Sequence, residues 1–337
     1  MKQELVTIIV VPRDRFSTLR RCLDALLAHT PACHKIMAVL GGAPASLRSG
    51  LERDYHGRVT FRFPESFQNG AQSRNAGLRL AQTRLSICIE SDTFVRAGWL
   101  EPLVACQQET NAAMVAPLIL ESPRKIHTAG NDLYITYENG RTYAHKELRY
   151  YGMIYGESCN LARRSCDYVE MHCHLVETKT ALKLKIFDET LSDMHECDAG
   201  LILSGNGRKM MFEPASVVQF HLVDRITDPR DIALFCWRWD MREQLKGYRA
   251  FESKWGMDIT EHGNMRNWLL NFNNKVGWVS RFFHTRLALW LDRKALQLAN
   301  LLLRPVRMVE AGWLRYKARR LGFYEWPVSP TKWFQGL

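Results

Sequence analysis

Short β-branched runs alternate with apolar residues at helical spacing over the first hundred positions. Leu5 to Val11 is a continuous apolar run of strand length, closed by Pro12-Arg13-Asp14-Arg15-Phe16-Ser17. From Ser17, a residue type suited to a helix N-cap, Leu19, Cys22, Leu23, Leu26 and Leu27 recur along one helical face. Lys35 to Leu40 predicts a second strand, ended by Gly41-Gly42-Ala43-Pro44. Leu47 to Tyr55 predicts a helix and Val59 to Phe63 a third strand. Strand–helix alternation of this kind is the pattern of a parallel, doubly wound sheet. A loop from Asn69 to Gly77 leads into a helix through Leu78, Leu80 and Ala81, and Leu85 to Ile89 predicts the next strand.

Further on, Gly98-Trp99-Leu100 opens another helix and Ala113 to Leu120 another strand. Residues 121 to 165 are mixed, rich in Tyr, Gly and charge, and read as irregular or hairpin structure over one face. Val169 to Leu184 holds a strand and a short helix. After the acidic loop from Ser192 to Asp198, a helix is expected from Ala199 to Leu203 and strands over Lys209 to Phe212 and Val217 to His221. Beyond about Asp224 the character changes to helices with Trp, Phe and Leu among Arg and Lys. A boundary near 225 divides the chain into 1–225 and a basic, Trp-rich helical region, 226–337.

At 337 residues and 46% hydrophobic content the chain holds one large domain or two ordinary ones. No apolar run reaches the length of a membrane-spanning helix, and Met1 to Val11 lacks a signal-peptide layout. Nine scattered cysteines without a Cys-x-x-Cys pair read as buried thiols rather than a disulfide frame. These features predict a cytoplasmic protein. The net charge of +11 is concentrated towards the C-terminus, from Lys275 to Arg320. Such a segment suits an anionic partner. Two readings of it stand: amphipathic helices with Trp278, Phe282, Phe283, Leu287, Trp290 and Leu291 on the inner face of a membrane, or a helical subdomain with a solvated charged face. No nucleic-acid module is recognisable, so nucleic acid is not an expected partner. Trp237, Trp239, Trp255 and Trp268 read either as stacking platforms for sugar or lipid or, more simply, as core.

The chemistry centres on Glu90-Ser91-Asp92, where an apolar strand ends in two acids. Strand alternation points Glu90 and Asp92 the same way, at the sheet edge where open α/β sheets bind ligands. They read as a divalent-metal and diphosphate site or as an acidic strand-to-helix turn. Glu196 and Asp198 read as a general base with a neighbour or as acids favoured near a helix N-terminus. His172-Cys173-His174 puts its two imidazoles on one strand face, but no partner pair follows at zinc-finger spacing.

Four segments in order give these alternatives a direction. Val10-Val11-Pro12-Arg13-Asp14-Arg15, then Asn69-x-Gly70-x-x-x-Arg74-Asn75-x-Gly77-Leu78, then Glu90-Ser91-Asp92 with Gly98-Trp99-Leu100, and lastly Phe187-Asp188-Glu189 with His195-Glu196-Cys197-Asp198, Gly207 and Pro214 resemble the inverting glycosyltransferases of family 2. The resemblance covers roughly residues 5–221. It implies a GT-A nucleotide-diphospho-sugar transferase fold, an α/β architecture with a mostly parallel sheet flanked by helices, here with a C-terminal helical extension. It implies Mn²⁺ or Mg²⁺ on Asp92, with His221 as a further ligand or phosphate contact. Pro12, Arg13, Asp14, Arg74, Asn75, Glu90 and Ser91 would then line the donor side, and Glu196 would be the base, with Asp198 and Asp193 as rivals. The implied partners are a nucleotide-sugar donor and a glycan or lipid-linked acceptor, in polysaccharide or glycolipid assembly. Three departures stand out: Glu90 where Asp is usual, Gly41-Gly42 where an acid is common, and His195-Glu196-x-Asp198 where Glu-Asp-x-Asp is usual. They support the competing reading, a GT-A-like binding or scaffold protein without activity.

Overall fold

The computed structural model describes residues 5–156, 161–222, 226, 228–259 and scattered positions between 295 and 310. These fall into two compact units: Met1–Arg13, Thr18–Leu222 and Lys246–Thr260 form one, and Asp14–Ser17, Val223–Leu245 and Glu261–Leu337 the other. Lys246–Thr260, beyond the boundary expected near 225, therefore groups with the first unit, and Asp14–Ser17, before it, with the second.

The first unit is built on a sheet whose first half is the predicted parallel array. β1 (Val6–Val11) is buried along its whole length because it lies centrally, between β2 (Lys35–Val39) and β4 (Leu85–Glu90), both parallel to it. β3 (Val59–Arg62) pairs outside β2. The connecting helices are α1 (Leu19–His29), α2 (Ala45–Asp54) and α3 (Gly70–Leu80). α1 buries Leu19, Cys22, Leu23 and Leu26 of the stripe predicted from spacing, while Leu27 is only partly buried. α3 starts at a reciprocal cap: the Asn69 side chain accepts from the Gln72 N–H, and the Gln72 side chain accepts from the Asn69 N–H.

After β4 the chain makes a short strand, β5 (Thr93–Val95), then α4 (Leu100–Thr110) and β6 (Met114–Leu120). β7 (Ile126–Thr128) pairs antiparallel with the end of β6. The segment expected to be irregular is dominated by a long hairpin, β8 (Asn131–Glu138) and β9 (Arg141–Leu148), joined at Asn139 and Gly140, both with positive φ. The two-residue strand β10 (Arg164–Ser165) follows, then β11 (Cys173–Glu177), α5 (Thr178–Leu184), α6 (His195–Gly205) and β12 (Met210–Phe220). The chain continues as α7 (Pro229–Arg238), α8 (Met241–Trp255) and β13 (Asp258–Ile259), which adds a third strand to the hairpin beside β9.

The large sheet runs β10-β12-β6-β11-β4-β1-β2-β3, with β5 and β7 paired off that path. β11 is antiparallel to both neighbours, β4 and β6. β12 is one strand where two were expected; a register shift between Glu213 and Val217 bends it without breaking the pairing to β6. The parallel order reverses at β1, because β2 and β4 lie on opposite sides of it and are reached by crossovers in opposite directions. Such a reversal leaves a crevice at the strands' C-terminal ends. Val11 and Glu90, the last residues of β1 and β4, are paired neighbours there.

In the second unit, the Asp231 carboxylate accepts from the N–H groups of Phe16 and Ser17 at 2.7 and 2.9 Å. Asp14 accepts from Trp239 Nε1 at 3.1 Å and from Arg15 Nε at 2.7 Å. Trp239 is fully buried, which makes this tryptophan core. α7 and α8 replace the single helix expected over Ile232 to Gly247, with the break at Trp239 and Asp240. Trp268 and the apolar positions Trp278, Phe282, Phe283, Leu287, Trp290 and Leu291 lie outside the described residues. The described positions Leu298, Leu301, Leu302, Val306 and Val309 carry exposed apolar side chains on helical backbone. No helix among the described residues is long and apolar enough to cross a membrane.

Candidate active site

Glu90 is the last residue of β4, and Asp92 sits in the turn before β5. Main-chain bonds hold the turn: Ser91 N–H to the Val11 carbonyl at 2.8 Å, Glu90 N–H to the His172 carbonyl at 2.9 Å, and His221 N–H to the Asp92 carbonyl at 2.8 Å. Glu90, Asp92 and His172 each bring one ligand atom to within 4.8 Å of the others, and all three residues are buried. Two carboxylates and an imidazole suit a divalent cation such as Mn²⁺ or Mg²⁺ more than a soft metal. Asp92, with its side chain wholly out of solvent, is the residue for which such an ion would supply most compensation.

The two acids differ in their protein partners. Glu90 accepts from Arg74 at 2.8 Å and from His172 Nδ1 at 2.9 Å, with Arg13 Nε at 3.7 Å. Burial acts to raise the Glu90 carboxyl, but the His172 hydrogen bond and the charges of His172, Arg74 and Arg13 outweigh it and hold Glu90 well below the usual carboxylate range. Asp92 has Arg13 at 3.7 Å. Arg13 also lies over the Phe220 ring, 4.9 Å from its centroid, and His172 stacks on that ring at 4.0 Å. The aromatic floor thus orients both the cation and the imidazole of the cluster.

The remaining predicted donor-side residues have distinct surroundings. Pro12 is buried at the end of β1. Arg74 is only 1% exposed; besides Glu90 it donates to the Met171 carbonyl, so it braces Glu90 from within α3. Asn75 donates to the Phe187 carbonyl and to Glu189, tying α3 to the Phe187-Asp188-Glu189 segment. Asp14 belongs to the second unit, where Trp239 and Arg15 engage both its carboxylate oxygens. The His221 ring lies beside Phe94, with centroids 5.8 Å apart, and is not in the three-residue cluster.

His172 is the residue that spacing missed. It lies in the turn before β11, and the antiparallel register of β11 on β4 (Cys173 opposite Ile89) brings it beside Glu90. Its distance in sequence from Glu90 gives no local signal of that pairing. His174, two residues on, is a core residue whose imidazole burial pushes down to about 3, so it stays neutral.

The acidic segment also differs from expectation. α6 begins at His195, four residues earlier than the pattern suggested, so Glu196 and Asp198 both lie in its first turn. The residue before it, Met194, is buried and left-handed, with φ +65°. That conformation is costly for a bulky side chain and fixes how the helix enters.

Glu196 is buried, and Lys146 of β9 donates to it at 3.2 Å. Burial, opposed by Lys146 and reinforced by Glu170 and Asp193, pushes its carboxyl up to about 7. Asp198 is fully buried and engaged: Trp255 Nε1 donates to it at 2.8 Å and Lys254 at 3.0 Å, and Lys254 also donates to Asp188 at 2.9 Å. Asp198 therefore fastens the end of α8 to α6, whereas Glu196 has a pKa near neutrality and one cationic partner. A base working near pH 7 matches Glu196.

α6 is positioned by close packing at Gly200. A Cβ there would meet the Asp167 backbone carbonyl oxygen at 2.3 Å, an obstruction that side-chain rotation cannot relieve. Gly200→Ala is expected to cost about 1–3 kcal/mol through overpacking, read as a lower urea midpoint. Gly205→Ala, at the same helix's end with nothing within 4 Å of its Cβ, serves as the control and should leave the midpoint unchanged or slightly raised. Equal midpoints for the two variants would mean that Gly200 does not set the approach.

Comparisons with known proteins agree with this architecture. Residues 7–167 match the family model for glycosyl transferase family 2. Two pre-mycofactocin glycosyltransferases of Mycobacterium tuberculosis, from strains CDC 1551 / Oshkosh and ATCC 25618 / H37Rv, are each 24% identical over 213 residues, covering 63% of this chain and 42% of theirs. The chain thus spans less than half the length of the curated relatives it matches. The crystal structure of GalNAc-T7 with UDP, GalNAc and Mn²⁺ superposes with a TM-score of 0.51 at 16% identity, over 65% of this chain and 43% of that one. This likeness bears on the fold, a GT-A-type α/β sheet flanked by helices. Residues 7–167 of this chain thus match the family 2 glycosyltransferases, and the sheet that carries them has the GT-A-type fold.

Proposed function

We propose that this protein transfers a sugar from a nucleotide-sugar to an acceptor hydroxyl with inversion at the anomeric carbon. The observation that carries the reading is the Glu90–Asp92–His172 cluster at the C-terminal end of β4, beside the reversal of strand order. A divalent ion held by Asp92, Glu90 and His172 would supply positive charge to the donor's diphosphate. The solved GT-A-type relative named above contains UDP and Mn²⁺, which supports a uridine diphosphate donor and manganese as first choices. Arg13 adds a guanidinium beside both acids.

In the transfer itself, the acceptor oxygen forms a bond to the anomeric carbon as the bond from that carbon to the diphosphate oxygen breaks. The hydroxyl proton goes to Glu196, and the nucleoside diphosphate departs with the electron pair. Glu196 is suited to this because at neutral pH it is poised between its two protonation states. Lys146 orients its carboxylate, and Arg74 with His172 fixes Glu90. Asp198, Pro12, Asn75, Ser91 and the Asp92 turn serve the reading as the frame of the site; His221 contributes its main-chain bond to that turn. An acceptor on a glycan or lipid carrier, and contact of the C-terminal region with an anionic membrane, belong to the same reading.

A thermal-shift series tests it. UDP with Mn²⁺ is expected to raise the melting temperature more than either alone, since a ligand that binds the native state stabilises it. No shift with UDP-, GDP-, CMP- or dTDP-sugars in the presence of Mn²⁺ would remove the donor reading. Binding without turnover would favour the scaffold alternative.

A further inference from the structure

The hairpin that carries Lys146 has two unlike faces. In the antiparallel register, Leu133 lies opposite Lys146, Ile135 opposite Ala144 and Tyr137 opposite Thr142, so these six share one face. The other face carries Tyr134 and Tyr143 among polar partners: Tyr134 with Glu147, Thr136 with His145, and Asp132 with Arg149 and Arg164. Apart from Lys146 and Thr142 the Lys146 face is apolar; on β9 Ala144 is buried, at 1% exposure, so the open part of this face lies along β8. There Ile135 is 50% exposed and Tyr137 is 74% exposed. A sheet face with this patterning ordinarily packs against something apolar.

The face also has a direction. At one end Lys146 reaches Glu196. At the other, four residues along β8, stands Tyr137, roughly 13 Å away at strand rise. We propose that this face is an acceptor subsite: it takes the apolar, alkyl or aromatic portion of an amphiphilic acceptor whose hydroxyl lies at Glu196. The inference rests on Glu196 as the base, and it assigns the acceptor class that this reading leaves open. Continuity with Glu196 singles out the acceptor as occupant: a ligand anchored by its hydroxyl at that carboxylate and extending along β8 runs over Leu133, Ile135 and Tyr137 in turn. Lys146 stands at the start of this track, where it meets the polar end of the ligand.

The test uses the full chain with labelled isoleucine methyl groups and two probes, octyl β-glucoside below its micelle concentration and methyl β-glucoside. Octyl β-glucoside is expected to shift the Ile135 methyl signal saturably, with an affinity at least tenfold above that of methyl β-glucoside. Ile135→Thr and Tyr137→Ser, both at exposed positions, should each weaken octyl binding at least fivefold while leaving the UDP and Mn²⁺ thermal shift intact. No Ile135 response, equal affinity for the two glucosides, or an Ile135 signal that depends on protein concentration alone, as when a second copy covers the face, would overturn the proposal. The Glu196 reading fails separately: full transfer activity in Glu196→Gln would remove the base, whereas octyl binding in that variant reads the hairpin alone.

Discussion

Glu196→Gln is expected to lower the transfer rate by roughly 10²–10⁴-fold, the usual contribution of a positioned general base, while leaving UDP and Mn²⁺ binding unchanged. The substitution keeps the shape and the partner Lys146 but cannot accept a proton. Wild-type activity should fall about tenfold per pH unit below about 7, where Glu196 becomes protonated, and the variant should lack that limb. The same residue has a stability signature of opposite sign. Its folded pKa, about 7, lies above the ordinary value of 4.5. The native state therefore binds the proton more tightly than the unfolded chain, and the stability this confers, complete below pH 4.5, is lost as pH rises through 7. The shift corresponds to roughly 3 kcal/mol. Chemical denaturation should find Glu196→Gln equal to wild type near pH 5 and more stable than it at pH 8. Asp198→Asn weakens the hydrogen bonds from Lys254 and Trp255 that join α8 to α6; because Lys254 keeps Asp188, the expected cost is about 1 kcal/mol. A variant that loses activity at Asp198 but keeps its stability would exchange the roles of the two acids.

The second large effect is expected at Asp92. Asp92→Asn conserves volume and hydrogen-bonding shape but removes one of the two carboxylate charges that would hold a divalent ion. Transfer should drop at least 100-fold, on the scale of several kcal/mol of charge stabilisation, and the extra thermal shift that Mn²⁺ gives to UDP should disappear. The fold itself should be little harmed, because a buried carboxylate without its ion is a cost rather than a support. Chelation of wild type should reproduce the variant. Glu90→Gln separates the neighbours: it leaves the buried Arg74 guanidinium without its carboxylate, so it should lose stability as well as activity. A Mn²⁺-dependent UDP shift that survives in Asp92→Asn would take the metal away from this residue.

Much of this architecture is legible along the chain. β1 to β4, α1 and α2 follow from local periodicity because each is a contiguous stretch whose burial has one period. α3 is expected only after a loop over Asn69 to Gly77; instead the reciprocal cap of Asn69 and Gln72 starts the helix at Gly70. The hairpin of β8 and β9 was harder: its strands are exposed on much of their surface, so hydrophobic alternation is weak where Ile135 and Tyr137 face outward. α6 begins four residues earlier than its apolar spacing suggested because buried polar residues, His195, Glu196 and Asp198, fill its first turn.

The two acids at the end of β4 were readable by themselves, since one strand and one turn bring them together. Their third partner was not. His172 reaches Glu90 through an antiparallel pairing of strands more than eighty residues apart, and no local pattern encodes which strand is added beside which. The protonation behaviour of the acids likewise depends on neighbours distant in sequence: Arg74 and His172 keep Glu90 charged, while burial raises Glu196 against the pull of Lys146. Sequence alone determined the parallel half of the sheet and the presence of acids at its edge, because both depend on contiguous residues. Tertiary structure decided which acid meets which cation, because that depends on strand register and on how far each carboxylate is removed from water.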